Sequence, residues 1–118
     1  FGDFEGLDFN EIKVKYPEEF QKMIDKGYEY RYPNGESLID SYNRVSKEIK
    51  AIIDDNDNKT ILICSHGGTI RNIITYLISN SYEYHWNFKI DNCSVTILEV
   101  DNGFTVVSSM NNTSFLKN

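Results

Sequence analysis

The sequence predicts an α/β fold, and three observations carry that prediction. The run Ile61-Leu62-Ile63 has no polar alternation, as expected of a strand covered on both faces in a parallel sheet. Apolar residues recur at helical spacing on both sides of it, at Leu38, Tyr42, Val45, Ile49 and Ile52 before and at Ile70, Ile73, Ile74 and Leu77 after, which is one face of an amphipathic helix in each case. Two β-patterned stretches then follow, joined by Asn102-Gly103, a hairpin turn signal. Helix, strand, helix, strand, strand is an α/β order. Three or so strands and three or four helices make an incomplete doubly wound sheet, with a bare edge or an uncovered face.

Taken in order, the first element is a helix start at Asp8, with Glu11 three residues on as in a capping box. Tyr16-Pro17 interrupts it, and proline can open a second short helix through Phe20, Met23 and Ile24 to Gly27. Both pieces are expected to be peripheral. Tyr28 to Gly35 has turn chemistry and no helical period, so an exposed, aromatic-rich loop is expected there. Ser37 is a good N-cap for the long helix, with Asp40 at the third position after it, and the acidic run Asp54 to Asp57 with Asn58 ends that helix. The next helix is expected from Thr69 to about Ser79. After a polar, aromatic loop containing His85 and Trp86, Ser94 to Val100 and Phe104 to Ser108 read as the strands of the hairpin.

A chain of 118 residues fits one domain, residues 1–118. Its apolar and charged fractions, 40% and 25%, are those of a soluble globular protein, and no apolar run approaches a membrane span. The N-terminus has neither the basic start and apolar stretch of a signal peptide nor an initiator methionine, so sequence upstream of Phe1 is expected. Cys64 and Cys93 lack paired or metal-ligand spacing, which favours reduced thiols in a cytoplasmic protein over a disulfide and predicts no metal site. A net charge of −6 without a Lys/Arg cluster argues against a nucleic-acid partner. It leaves room for a small phosphorylated ligand in a locally positive pocket.

Such a pocket is predicted where the apolar run stops at His66-Gly67-Gly68 and a helical pattern begins. Glycines allow close approach of the backbone to a ligand, and the unpaired N–H groups of a first helical turn, with the helix dipole, favour an anion. The imidazole would stand at the carboxyl end of the strand, where open α/β sheets bind ligands. A lone histidine is more often a satisfied core residue, but a purely structural one does not call for two glycines and a helix start. Ser65 is not a hydrolase nucleophile, because no Gly-x-Ser-x-Gly elbow surrounds it. Gly67-Gly68 alone is weak, since neither a P-loop nor a dinucleotide motif is present. Arg71, on the first turn of that helix, could face the ligand or pair with an acidic neighbour, and structural pairing is favoured. His85 and Trp86 read as loop packing. Tyr28, Tyr30 and Tyr32 could line a substrate pocket, although aromatic packing is the default.

Several separate segments fit one family. Phe1-Gly2-Asp3-Phe4-Glu5-Gly6 followed by Tyr16-Pro17, Pro33 to Ser37 followed by Arg44-Val45, Ile61 to Arg71, and Asn92 to Glu99 together resemble the later part of the histidine phosphatase, or phosphoglycerate mutase-like, superfamily, and within it the small bacterial phosphatases that include α-ribazole phosphatase. The resemblance implies an incomplete three-layer α/β/α sheet lacking the N-terminal strands, with residues 7–36 as a cap that selects the substrate. It implies a phosphohistidine mechanism. A nucleophilic histidine in an Arg-His-Gly motif attacks phosphorus, two arginines and a second histidine bind the phosphoryl oxygens, and a carboxylate protonates the leaving oxygen.

This chain matches only the second histidine, at His66, with backbone N–H groups near Gly67 and Gly68 in support. Arg-His-Gly does not occur in it. Glu5 could be proposed as a substitute acid, but it aligns with a glutamate of the motif itself and is better read as structural. The expectation is therefore part of a phosphomonoesterase that acts without metal or organic cofactor on a small phosphorylated metabolite, with the nucleophile outside these residues. A phosphoglycerate mutase, which returns the phosphate to substrate, and a non-catalytic module that binds phosphate or a partner chain are the alternatives. Bare sheet edges would favour self-association.

Overall fold

The computed structural model describes residues 1–116. The chain forms two compact units, residues 1–43 and the residues from Arg44 onward. The helices are α1 (Phe9–Lys15), α2 (Pro17–Lys26), α3 (Leu38–Asp55) and α4 (Gly67–Ser79), and the strands are β1 (Val95–Asp101) and β2 (Phe104–Asn112).

In the first unit, Asp8 caps α1 through a reciprocal box: its Oδ1 accepts from Glu11 N at 2.8 Å, and its own N–H donates to Glu11 Oε2 at 3.0 Å. Pro17 opens α2 at the first helical position, where its missing N–H costs nothing. Phe4, Ile12 and Tyr30 form the buried cluster, with Leu7, Phe20, Met23 and Tyr32 packed against it. Tyr30 corrects the expectation of an exposed loop between Tyr28 and Gly35. Its ring is 5% exposed and stacks edge-on against Tyr32, while its hydroxyl donates to Glu19 Oε2 at 2.8 Å. Burial and that carboxylate both push the phenol pKa upward. Tyr28 lies in a 3₁₀ turn, Gly27–Glu29. Gly2 (φ 53°) is packed so closely on the Pro33–Gly35 backbone that a Cβ would stand 2.2 Å from the Pro33 oxygen, a contact only glycine allows. Ser37 and Asp40 exchange two hydrogen bonds of 3.0 Å at the start of α3.

In the second unit, Val45 and Ile49 of α3 pack with Ile73 of α4, flanked by Ile52, Ile53, Tyr76 and Leu77. These are the apolar faces that the helical spacing marks. Strand β1 pairs antiparallel with β2 around the Asn102-Gly103 turn, with register shifts between Val95 and Leu98. Asn102 and Gly103 both hold positive φ, 50° and 79°, which fits their use at the turn of a hairpin. This ribbon is a two-stranded sheet.

The predicted strand Ile61-Leu62-Ile63 is corrected. The segment carries no ladder among the described residues, and Ile61, Leu62 and Ile63 are 42%, 92% and 42% exposed. Its composition suits a buried strand, but no described residue supplies the hydrogen-bonding neighbour a strand requires. The architecture is mixed helix and sheet, and the sheet is incomplete as the sequence predicts.

Candidate active site

Helix α4 starts at Gly67, two residues before the predicted Thr69, because His66 serves as its N-cap. His66 has extended backbone angles (φ −85°, ψ 157°), and its side chain makes no capping bond. The first helical bond runs from Ile70 N to the His66 oxygen, 3.0 Å. The N–H groups of Gly67, Gly68 and Thr69 therefore have no partner within the helix. No acidic side chain stands in that first turn to offset the positive end of the dipole. The His66 side chain and Gly68 are exposed. The imidazole and the free N–H groups thus belong to one short stretch of chain.

The two glycines differ. A Cβ on Gly68 would meet nothing within 4 Å, whereas one on Gly67 would stand 3.2 Å from Arg71 Nη1. Arg71 is held by a carbonyl and a ring: its Nε donates to the Phe88 oxygen at 2.9 Å, and its guanidinium lies 5.4 Å from the Trp86 ring centroid. Structural pairing was the favoured expectation for Arg71. Among the described residues its partners are this carbonyl and this indole.

Next to Arg71 on α4, Asn72 is buried and shares a 2.9 Å hydrogen bond with His85 Nδ1. His85 is 3% exposed and meets Trp86 edge-on at 4.7 Å. Burial, and secondarily the charge of Arg71, push its imidazole pKa down to about 4. His85 is thus a neutral packing residue that ties the loop to α4. Sequence reasoning treated His85 and Trp86 as loop packing but did not find Asn72 as the partner. A polar residue at Asn72, beside Arg71 and next to the apolar Ile73-Ile74, was the available signal.

Glu5 and the tyrosines belong to the first unit, where Glu5 is exposed and Tyr30 is core. Among the described residues no three His, Cys, Asp or Glu side chains cluster as metal ligands would. No described helix is long and apolar enough to cross a membrane. Cys64 and Cys93 are unpaired and exposed.

A mixed helix and sheet chain in which an extended segment brings a histidine to a helix start with two glycines defines an α/β protein whose helix N-terminus is open to an anion. The chain belongs to the histidine phosphatase superfamily (branch 1), whose pattern it matches over residues 1–113. It is 27% identical over 115 residues to phosphoserine phosphatase 1 of Hydrogenobacter thermophilus, which covers 98% of this chain and 54% of that protein. It is 37% identical over 87 residues to the 2,3-bisphosphoglycerate-dependent phosphoglycerate mutase 1 of Gloeobacter violaceus, covering 70% of this chain and 37% of the mutase. The fold is that of the α-ribazole phosphatase from Shigella flexneri, with a TM-score of 0.86 at 23% identity over 95% of this chain and 55% of the other. The chain thus spans about half the length of phosphoserine phosphatase 1 and of the α-ribazole phosphatase.

Proposed function

We propose that this chain is the second half of a phosphomonoesterase that works through a phosphohistidine intermediate, with the nucleophilic histidine supplied by polypeptide outside residues 1–118. The observation that carries the reading is the exposed, uncapped His66 beside three N–H groups without helical partners, in a chain of the histidine phosphatase superfamily that contains no Arg-His-Gly.

The chemistry assigns His66 one task. As the nucleophile attacks phosphorus, the bond from phosphorus to the leaving oxygen breaks, and an acid outside this chain protonates that oxygen. Water then cleaves the phosphohistidine. Negative charge on the phosphoryl oxygens is met by the His66 N–H and by the backbone N–H groups at Gly67 and Gly68, which need no reorganisation to act. No metal or organic cofactor enters these steps. The substrate is a small phosphorylated metabolite of the cytoplasm, and the net charge of −6 disfavours nucleic acid and anionic membrane as partners. Identity of 37% to a mutase supports a second reading, in which the phosphate returns to substrate; a requirement for 2,3-bisphosphoglycerate separates the two.

The test is hydrolysis of p-nitrophenyl phosphate by the 118-residue chain, alone and co-expressed with the first half of phosphoserine phosphatase 1. The chain alone is expected to show no His66-dependent rate. The pair is expected to turn over substrate and to lose about 100-fold or more with His66→Ala, as a group acting as one unit with others does. A His66-dependent rate from the chain alone would overturn the division of labour. A folded but inactive pair would make the chain a non-catalytic phosphate- or partner-binding module.

A further inference from the structure

Asn-Gly occurs twice in the chain, at Asn34-Gly35 and at Asn102-Gly103, and this dipeptide is open to a covalent change of its own. With no Cβ on the second residue, the backbone nitrogen can reach the carbonyl carbon of the asparagine side chain. The two sites share more than sequence. Both asparagines are exposed, and both hold left-handed φ, 55° and 50°. Hydrogen bonding separates them. At the first site both reacting groups are tied: Asn34 Nδ2 donates to the two oxygens of Asp3 at 3.1 and 2.9 Å, and the Gly35 N–H donates to the Tyr32 oxygen at 2.8 Å. Gly35 is also packed against Gly2, whose nitrogen would stand 2.8 Å from a Cβ on Gly35. At the second site both are loose. Among the described residues neither the Asn102 side chain nor the Gly103 N–H has a hydrogen bond, and a Cβ on Gly103 would meet nothing within 4 Å.

We propose that Asn102 is a site of deamidation in the folded protein, and that Asn34 is protected from the same reaction by its bonds to Asp3 and by the bond of Gly35 to Tyr32. The Gly103 nitrogen, on losing its proton, bonds to Asn102 Cγ. The Cγ–Nδ2 bond breaks, and Nδ2 leaves as ammonia with that proton, so the product is a cyclic succinimide. Water then opens the ring, at Cγ to give aspartate or at the main-chain carbonyl to give isoaspartate. Water is the co-reactant, and no electron changes hands.

The place in the fold gives the reaction a consequence. Asn102 and Gly103 form the tip of the β1–β2 hairpin, next to the pairing of Asp101 with Phe104. Either product adds a negative charge there. Isoaspartate also routes the main chain through its side-chain carbon, one atom longer than a two-residue turn accommodates, so the Asp101–Phe104 pairing is expected to open. At Asn34 the same change is held off until the Asp3 carboxylate and the Tyr32 carbonyl let go.

The experiment is incubation of the 118-residue chain in mildly alkaline buffer, followed by proteolysis and mass spectrometric sequencing of the peptides for replacement of NH2 by OH. Asn102 is expected to react about tenfold or more faster than Asn34 in the folded chain, because the bonds at Asn34 must break first. In guanidinium chloride, where those bonds are gone, the two rates are expected to converge. Asp3→Ala removes an exposed side chain and is expected to speed the reaction at Asn34 several-fold with an unchanged circular dichroism spectrum. Equal rates in the folded chain, or a gap that persists in the unfolded one, would overturn the proposal, and an Asn34 rate that Asp3→Ala leaves unmoved would overturn the part given to Asp3. Amide exchange at Phe104 is expected to quicken in the aged chain and not in an equally aged Asn102→Gly chain, which keeps a residue suited to positive φ and lacks the amide. Equal exchange in the two would overturn the opening of the hairpin end. Neither readout depends on activity.

Discussion

The Arg71 guanidinium lies where a side chain on Gly67 would begin, 3.2 Å from the position of a Cβ, while the same position on Gly68 is open. Neither glycine holds a positive φ, so alanine fits the backbone at both and gains up to about 1 kcal/mol in helix propensity. Gly68→Ala is expected to raise stability by an amount in that range. In Gly67→Ala the gain is offset, because the guanidinium must shift against its Phe88 carbonyl and Trp86 ring. Urea unfolding of the two variants checks the difference. Equal stabilisation would mean that Arg71 yields freely. A more stable Gly68→Ala chain that, co-expressed with the first half of phosphoserine phosphatase 1, hydrolyses p-nitrophenyl phosphate more slowly than the unsubstituted pair would mark Gly68 as kept for the ligand.

His85 makes stability depend on pH. Its folded pKa, about 4, lies below the ordinary 6.5, so the unfolded chain binds the extra proton first. Its contribution is complete above about pH 6.5 and is lost as pH falls towards 4. At about 1.4 kcal/mol per pKa unit, the full loss amounts to roughly 3 kcal/mol. His85→Gln keeps a donor for Asn72 without titrating, and the slope of unfolding free energy over that window should be shallower than in the unsubstituted chain. Parallel slopes would show that other groups govern acid unfolding.

What was legible in the sequence was local. The Asp8–Glu11 box and the Ser37–Asp40 pair bridge three residues and need nothing else, and Asn102-Gly103 sets the hairpin by its own backbone preference. The strand at Ile61–Ile63 failed for the complementary reason. Apolar composition tells which residues favour burial, but a strand exists only with a neighbour, and the described residues supply none. Tyr30 was misplaced because its burial depends on Phe4 and Ile12, far away in sequence. In the candidate site, His66 and the glycines were visible as a contiguous motif. The bond from Asn72 to His85 spans thirteen residues and follows no motif.

The two helix caps should differ in worth. Ser37 is 6% exposed and bonded twice to Asp40, whose carboxyl is held below its usual range first by the backbone and side-chain bonds from Ser37 and then by Arg31. Asp8 makes the same reciprocal box in solvent. Ser37→Ala is expected to cost about 1–2 kcal/mol and Asp8→Ala about 0.5–1 kcal/mol, since the part-buried Asp40 N–H left without its acceptor loses more than the exposed Glu11 N–H. Chemical denaturation of the two variants gives the comparison. Equal costs would remove burial as the reason for the difference.

Leu62 should govern the state of the chain in solution. At 92% exposure, between two half-exposed isoleucines and on a backbone with unmet hydrogen bonds, it is part of an apolar edge of the kind that pairs with other chains. The 118-residue chain alone is expected to form dimers or larger species at micromolar concentration. Leu62→Lys places on that edge the charge that natural edge strands use against pairing. Because Leu62 buries almost nothing, the substitution leaves the packing of Ile49 and Ile73 untouched. Sedimentation velocity is expected to show the variant shifted towards monomer with an unchanged circular dichroism spectrum. A monodisperse monomer before the substitution would rule out edge pairing as a property of the free chain. An oligomer that the lysine leaves intact would place the contact on another surface, with the exposed apolar residues of the β1–β2 ribbon, including Val95, Ile97 and Phe104, the next to substitute.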